Sequence, residues 1–155
     1  MSLLDKYNEA MARLRADVND IVHNDMKDGI ALAMVDSARH RVYEAYPHPK
    51  RYVRRKTLED PSHYRFNPID MGIEVDSPIQ GNPAYAPPAS SGWNPGYISH
   101  IIESGDGYPW LSQGSDMETI GPRPYLTEGM KDYVVKGNAN ADLAAGLRAR
   151  GYIVN

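Results

Sequence analysis

Apolar residues recur at helical spacing near the start of the chain. Successive apolar side chains are separated by three, four, three, four and three residues, through Leu4, Tyr7, Met11, Leu14, Val18 and Ile21. This regular seam predicts an amphipathic helix of about six turns. Such a seam is compatible with a helix that covers a sheet, which is the commoner arrangement, and with a helix that packs against its copy in an oligomer.

A second apolar pattern begins just after Gly29, a residue that interrupts helix propensity. It runs through Ile30, Met34, Ala38, Val42 and Ala45. The two patterns together predict a helical region over residues 1–46, formed by two helices or by one long kinked helix that ends before Pro47.

The pattern changes over residues 47–76, which contain a basic loop and two predicted strands. Residues 64–66 and Met71–Asp76 alternate between apolar and polar, as half-buried strands do. From Ser77 to Gly96 no apolar period survives, and the segment holds five prolines and three glycines. Because Tyr85 and Trp93 are large aromatics, we interpret this segment as an extended arm and not as a flexible linker.

The C-terminal part, residues 97–155, contains a rigid connection followed by helices. A strand or short helix is predicted at Tyr97–Ile102, and a turn at Gly105–Gly107. Pro122 and Pro124 fix the backbone on both sides of Arg123, which is thereby presented on a stiff strut. Helices are predicted from Thr127 to Lys136 and from Asn140 or Ala141 to Arg150, and Tyr152–Val154 is predicted to form an edge strand.

These elements predict one α+β domain over residues 1–155. In it, an N-terminal long helix or helix pair packs on a small antiparallel sheet, with short C-terminal helices and a long Pro/Gly-rich loop. There is no cysteine, so disulfides, thiol nucleophiles and thiolate metal sites are excluded. The first residues lack the layout of a signal peptide and no apolar run reaches membrane-spanning length, so we expect a soluble protein made in a cytoplasm, without membrane contact.

Charge and aromatic content indicate contact with other macromolecules. The net charge is −3, yet residues 39–56 carry seven basic residues against Glu44 alone, a local charge of +6 that leaves −9 elsewhere. A basic patch on an acidic body favours either a nucleic-acid contact or head-to-tail association of copies. Eleven tyrosines and two tryptophans stand against one phenylalanine, a bias that suits surfaces buried against partners as well as the roof of a modest core.

No set of residues matches a familiar catalytic or metal-binding template. The five histidines form no metal-binding spacing, and the Ser-Gly-Asp-Gly segment lacks the regular oxygen spacing of a calcium loop. Neither a phosphate-binding glycine loop nor a nucleophile elbow is present. We therefore expect no enzyme activity, no cofactor and no metal. The alternative is a hydrolase that uses His100, Glu103 and Asp106.

Three segments resemble the tail-completion, or neck, proteins of long-tailed bacteriophages. They are Val42-Tyr-Glu-Ala-Tyr46 followed by Tyr52-Val-Arg-Arg55, then Ile101-Ile-Glu-Ser-Gly-Asp-Gly-Tyr108, and finally Pro122-Arg-Pro-Tyr-Leu126. Their order and spacing are similar to the family's over roughly residues 30–153, although the loop at 77–96 is richer in proline than the family pattern. The resemblance implies an α+β fold and a non-catalytic ring, commonly sixfold.

The resemblance therefore predicts a structural virion protein of the head–tail junction, assembled in the host cytoplasm. Its partners would be copies of itself in a hexameric ring, connector or head-closure proteins, and the tail tube or tail terminator, with a contact to packaged DNA. The alternative is a nucleic-acid-binding module that uses the basic tract at residues 50–56. The predicted interface residues are Arg51, Tyr52, Arg54, Arg55, Lys56, Tyr85, Trp93, Glu103, Asp106, Arg123 and Tyr125.

Overall fold

A computed structural model describes residues 1–45, 57–79, 102–103 and 122–154. The N-terminal region is helical, as the sequence predicts: helix α1 spans Leu3–Asp20 and helix α2 spans Lys27–Ala38. Turns of π-helix follow each of them, at Ile21–Asp25 and Arg39–Glu44. A π-helical turn inserts an extra residue into the helical register. This is why the two apolar patterns do not join into one continuous seam.

The small sheet is a hairpin of two antiparallel strands, which confirms the strands predicted around residues 64–76. Strand β1 (Arg65–Ile69) pairs with strand β2 (Gly72–Asp76), with Arg65 opposite Asp76 and Ile69 opposite Gly72. Two short 3-10 turns, Thr57–Glu59 and Pro61–His63, lead into the hairpin. Phe66, Ile73 and Val75 are partly buried against the helical core.

Two helices form the C-terminal region, close to the predicted ranges. Helix α3 spans Tyr125–Val135 and helix α4 spans Asn138–Ala149. Gly137 separates them with a φ of 83°, a left-handed conformation that glycine adopts without a steric cost. The predicted helices are thus confirmed, and each begins about two residues earlier than expected.

The edge strand predicted at Tyr152–Val154 is wrong. These residues form no strand. The guanidinium of Arg148 instead donates to the carbonyl of Val154 at 3.1 Å, and the Tyr152 hydroxyl donates to Asp17 at 2.6 Å. The chain end is therefore folded back onto α4 and α1, away from the β1–β2 hairpin.

Helix α2 lies at the centre of the core and packs most extensively on α3. Gly129 permits this close approach, because a Cβ at that position would lie 2.8 Å from the Met34 Cε and 3.1 Å from the Ser37 Cβ. The buried apolar residues belong to α2, to α3 and to the helical residue Ile102. Others belong to the π-turns and 3-10 turns or lie next to these turns. They include Ile21, Met26, Ile30, Met34, Val35, Ala38, Val42, Leu58, Tyr64, Ile102, Tyr125 and Tyr133. The α+β fold predicted from the sequence is confirmed.

Helix α1 differs from the expectation that its seam covers the sheet. None of its residues is buried. Along the seam the exposure falls toward the C-terminus: Leu4, Tyr7 and Met11 are exposed, Leu14 and Val18 are half-buried, and Ile21 in the following π-turn is completely buried. Among the residues that the structure describes, only the end of the predicted seam therefore packs on other elements.

Candidate assembly surface

The Pro-Arg-Pro segment leads directly into α3, and Glu103 caps that helix. The carboxylate oxygens of Glu103 accept hydrogen bonds from the backbone N–H groups of Leu126 and Thr127, each at 2.9 Å. The residue at the helix start, Pro124, provides no side-chain cap. A carboxylate at this position satisfies two free N–H groups and interacts favourably with the helix dipole. Glu103 therefore fixes the first turn of α3.

Arg123 immediately precedes α3 and contacts the end of the α2 region and Ile102. Its backbone N–H donates to the carbonyl of Ile102 at 2.8 Å, and its guanidinium donates to the carbonyl of Val42 at 3.5 Å. Val42 belongs to the π-turn that extends α2, so the cation faces carbonyl groups at a helix C-terminus. The side chain is half-buried. The strut predicted to direct Arg123 toward another subunit thus first anchors α3 to the end of the α2 region.

Tyr125 is a core residue. Its side chain is 0% exposed and lies in the main apolar cluster. A side chain in this position is not presented to a partner, so we do not include Tyr125 in the interface proposed below. The other predicted interface residues lie outside the described part of the chain: Arg51, Tyr52, Arg54, Arg55, Lys56, Tyr85, Trp93 and Asp106.

The first two cations of the basic region pair with acidic residues of their own chain. Arg39 lies 3.7 Å from the Glu59 carboxylate. Arg41 lies 3.5 Å from both Glu128 and Asp132 on α3. Pairing within the chain therefore occurs at this end of the basic region. These ion pairs involve two of the seven positive charges of residues 39–56.

A cleft opens between α2, α3 and α4. It has a volume of about 410 Å³ and is lined by Gly29, Leu32, Ala33, Asp36, Asp132, Tyr133, Lys136, Asn138, Ala141 and Asp142. On one wall the Tyr133 hydroxyl donates to the Asp142 carboxylate at 2.6 Å. Burial, then this hydrogen bond, raise the pKa of Tyr133, so the phenol stays protonated and remains a donor. The cleft combines small apolar side chains with an acidic rim.

The histidines described by the structure have structural contacts. His23 Nε2 lies 2.8 Å from the Ile69 carbonyl and 2.9 Å from the Gly72 carbonyl, so this nitrogen is the donor and joins the first π-turn to the hairpin. His40 lies 3.4 Å from the Asp36 carboxylate, and His63 lies 3.7 Å from the Asp60 carboxylate. Within the described ranges, no group of three or more His, Cys, Asp or Glu side chains is arranged to hold a metal ion.

Sequence patterns did not reveal the helix cap or the cleft. Glu103 is more than twenty residues before the N–H groups that it caps, and the cleft is formed by three helices. The apolar seam of α1 was recognisable in the sequence, but the sequence did not show which surface packs against it. No described helix is both long and apolar enough to cross a membrane.

A protein-family model matches most of the chain. No curated protein and no solved structure is similar to the chain at a significant level. The family model YomN matches residues 6–149, which includes the hairpin and all four helices except the first three residues of α1. YomN is a phage-derived family, and the match supports a phage protein. The chain therefore belongs to the YomN family and is a phage-associated protein.

Proposed function

We propose that this protein is a structural component of the phage head–tail junction, a neck or tail-completion protein that acts as a ring. Membership of a phage-derived family over residues 6–149 is the observation that carries the proposal. The three segments that resemble neck proteins, taken in their order along the chain, support a position at the head–tail junction. The proposed protein has no catalytic role and uses no cofactor or metal.

The contacts at the start of α3 make this region rigid, as expected of a structural component of an assembly. Glu103 fixes the start of α3, and Arg123 ties the same point to the end of the α2 region. These bonds hold the chain on either side of the Pro-Arg-Pro segment in one fixed geometry. A surface that is rigid before association loses less conformational entropy on binding.

In the proposed ring, the basic tract and the strut contact a neighbouring copy or the connector. The tract comprises Arg51, Tyr52, Arg54, Arg55 and Lys56, and its charge of the opposite sign to the rest of the chain suits a head-to-tail contact. The segment from Ser77 to Gly96, with Tyr85 and Trp93, contacts a neighbour or the tail tube. Glu103 and Asp106 complete the proposed interface.

Localisation in the particle tests the proposal. Phage particles are purified after induction, and the protein is located by antibody labelling in electron microscopy. We expect label at the head–tail junction. Deletion of the gene is expected to yield filled heads and separate tails. Label on the capsid or baseplate, or absence of the protein from particles, would contradict the neck role.

The second candidate function is nucleic-acid binding by residues 50–56, which is favoured by five cations interleaved with Tyr52. The test compares DNA affinity of the parent with that of Arg54→Ala/Arg55→Ala over a range of salt concentrations. Loss of affinity and a shallower salt dependence would support this function. The matched control is Arg65→Ala/Lys131→Ala, which removes two exposed cations elsewhere. If the tract variant binds DNA like the parent but fails to assemble, the structural role is favoured.

A further inference from the structure

The contacts on either side of residues 46–56 join the two ends of this segment, which contains the basic tract. The segment carries five lysines and arginines and no carboxylate. Tyr43 precedes it and Leu58 follows it, yet the Leu58 backbone N–H donates to the Tyr43 hydroxyl at 3.1 Å. In the same way Arg39 precedes the segment and lies 3.7 Å from the carboxylate of Glu59, which follows it. The chain therefore leaves for the segment and returns from it at one place.

The end that precedes the segment is fixed to the rest of the chain. It is the second π-turn, in which Val42 is buried and its carbonyl accepts a hydrogen bond from the Arg123 guanidinium. In the same turn the Arg41 guanidinium lies 3.5 Å from the carboxylates of both Glu128 and Asp132 on α3. Contacts with α3 and with the residues that lead into it therefore hold the turn at which the segment begins.

The end that follows the segment is fixed by two tyrosine hydroxyls. Leu58 is 3% exposed and belongs to the apolar core. Its N–H donates to Tyr43, and its carbonyl accepts a hydrogen bond from the Tyr64 hydroxyl at 2.7 Å. Burial raises the pKa of Tyr64, so this phenol stays protonated and remains a donor. Since a buried backbone group without a partner is costly, each hydroxyl supports the position of Leu58.

The two hydroxyls differ in what they connect. Tyr64 and Leu58 both follow the segment, so the bond between them does not join its two ends. Tyr43 precedes the segment, so its bond to Leu58 closes residues 44–57 into a loop whose ends are held together. A loop with joined ends has fewer conformations than a chain with free ends, and a surface with fewer conformations loses less entropy on binding.

We propose that Tyr43 is a positioning residue for the basic tract: its hydroxyl joins the ends of the segment and thereby holds the tract for contact with an acidic surface of a second copy. The segment carries +5 on a chain of net charge −3, so the other residues carry −8 and supply the complementary charge. The negative net charge favours a copy of this protein over DNA as the partner. The inference rests on the ring contact of the proposed function and adds a residue that positions it.

Tyr43→Phe tests the positioning role, because it removes the hydroxyl and retains the partly buried ring. The dissociation constant between copies is expected to rise roughly three- to ten-fold, because the ends of the segment are no longer joined by this bond. Light scattering at a series of protein concentrations measures association, and far-UV circular dichroism verifies the fold. A folded variant that associates like an oligomeric parent overturns the positioning role alone.

Tyr64→Phe is the matched control, because it also deprives Leu58 of one hydrogen bond but leaves the Tyr43 bond across the segment. Both variants are expected to unfold at lower urea concentrations than the parent, whereas only Tyr43→Phe is expected to weaken association. Equal weakening by the two variants would show a general loosening around Leu58, and the positioning role would be wrong.

A double-mutant cycle tests whether Tyr43 acts through the basic tract. Arg54→Ala removes one cation of the tract and leaves the other four. If Tyr43 positions the tract, the two changes together weaken association by less than the product of their separate effects. Independent effects of the two changes, or an Arg54→Ala variant that associates like the parent, would overturn the inference.

Two further outcomes separate this inference from the function on which it rests. A parent that is monomeric at every concentration overturns the ring and the positioning role together. If Tyr43→Phe lowers the affinity for duplex DNA and leaves association between copies unchanged, the tract binds DNA and the proposed contact with a second copy is wrong.

Discussion

Glu103 supplies the cap that the sequence before α3 cannot provide. Pro124 has no polar side-chain atom and no N–H group, so the first N–H groups of the helix depend on a residue from elsewhere. The Glu103 carboxylate bonds two of them at once. The sequence also makes Glu103 a candidate for catalysis together with His100 and Asp106. In the described part of the chain its carboxylate is engaged with backbone donors.

Replacing Glu103 tests this capping role. Glu103→Gln retains the size of the side chain but removes the charge and one of the two acceptor oxygens. We expect the free energy of unfolding in urea to fall by about 1–2 kcal/mol. Glu74→Gln on the exposed side of β2 is the matched control and is expected to have little effect. A similar small effect of both variants would contradict the capping role.

The Tyr133–Asp142 pair is the second residue-scale feature with a measurable consequence. The phenol is almost completely buried and donates to a carboxylate on the neighbouring helix. Tyr133→Phe leaves Asp142 without this donor, and we expect a loss of about 1–3 kcal/mol in unfolding free energy. Tyr7→Phe removes a hydroxyl from an exposed tyrosine and is expected to be neutral. Equal effects of the two changes would show that the hydrogen bond contributes nothing.

At the scale of elements, Arg150 joins the end of α4 to the junction after α1. Its guanidinium contacts Asp25 at 2.6 Å and also Asp20. Gly146 lets α4 approach the same junction, because a Cβ there would lie 2.7 Å from the Ile21 Cγ2. The hydrogen bond from Arg150 is the main reason that the pKa of Asp20 lies below its ordinary value. This clamp connects the end of α4 to the junction between α1 and α2.

The clamp predicts a dependence of stability on pH. The pKa of Asp20 is lower in the folded chain than in the unfolded chain, where it is about 3.9. The stabilisation is therefore complete above that pH and is lost as the pH falls through the folded value. We expect Arg150→Gln to unfold more easily than the parent near neutral pH, with the difference shrinking under acid conditions. Arg148→Gln, which removes a cation that donates to the Val154 carbonyl, is the control for an acid-dependent change.

At the scale of the whole molecule, charge and shape are distributed unequally. The first half of α1 exposes the apolar side chains of Leu4, Tyr7 and Met11, whereas the cleft between α2, α3 and α4 is lined by three aspartates and one lysine. The basic tract at residues 50–56 adds a further unlike patch. Unlike patches favour heterologous association, which produces rings or filaments and not simple two-fold dimers.

Ring closure has a clear signature in solution. As the protein concentration rises, we expect the mass to increase and then level off at six copies, with no further growth. Light scattering at several concentrations and salt levels measures this, and added salt is expected to weaken association because the proposed contact of the basic tract is electrostatic. Continued growth with concentration would indicate open filaments, and a plateau at two copies would contradict the ring.

Local patterns predicted most of the secondary structure. Apolar spacing identified α1, α2 and the two C-terminal helices, and alternation identified the hairpin, because these signals depend only on which face of an element is buried. The prediction of an edge strand at Tyr152–Val154 was wrong for the same reason. Its apolar residues had the right composition, but whether they pair with another strand depends on where the chain end lies.

The sequence by itself determined the α+β class, the helical N-terminal region, the hairpin and the uneven charge, since each follows from the order of residue types along the chain. Only the tertiary structure decided that Glu103 caps α3, that Tyr125 is buried, and that Arg123 faces the end of the α2 region. It also decided which part of the α1 seam stays exposed. Contacts between residues far apart in the chain depend on how the helices pack, and helical periodicity specifies a buried face without specifying its partner.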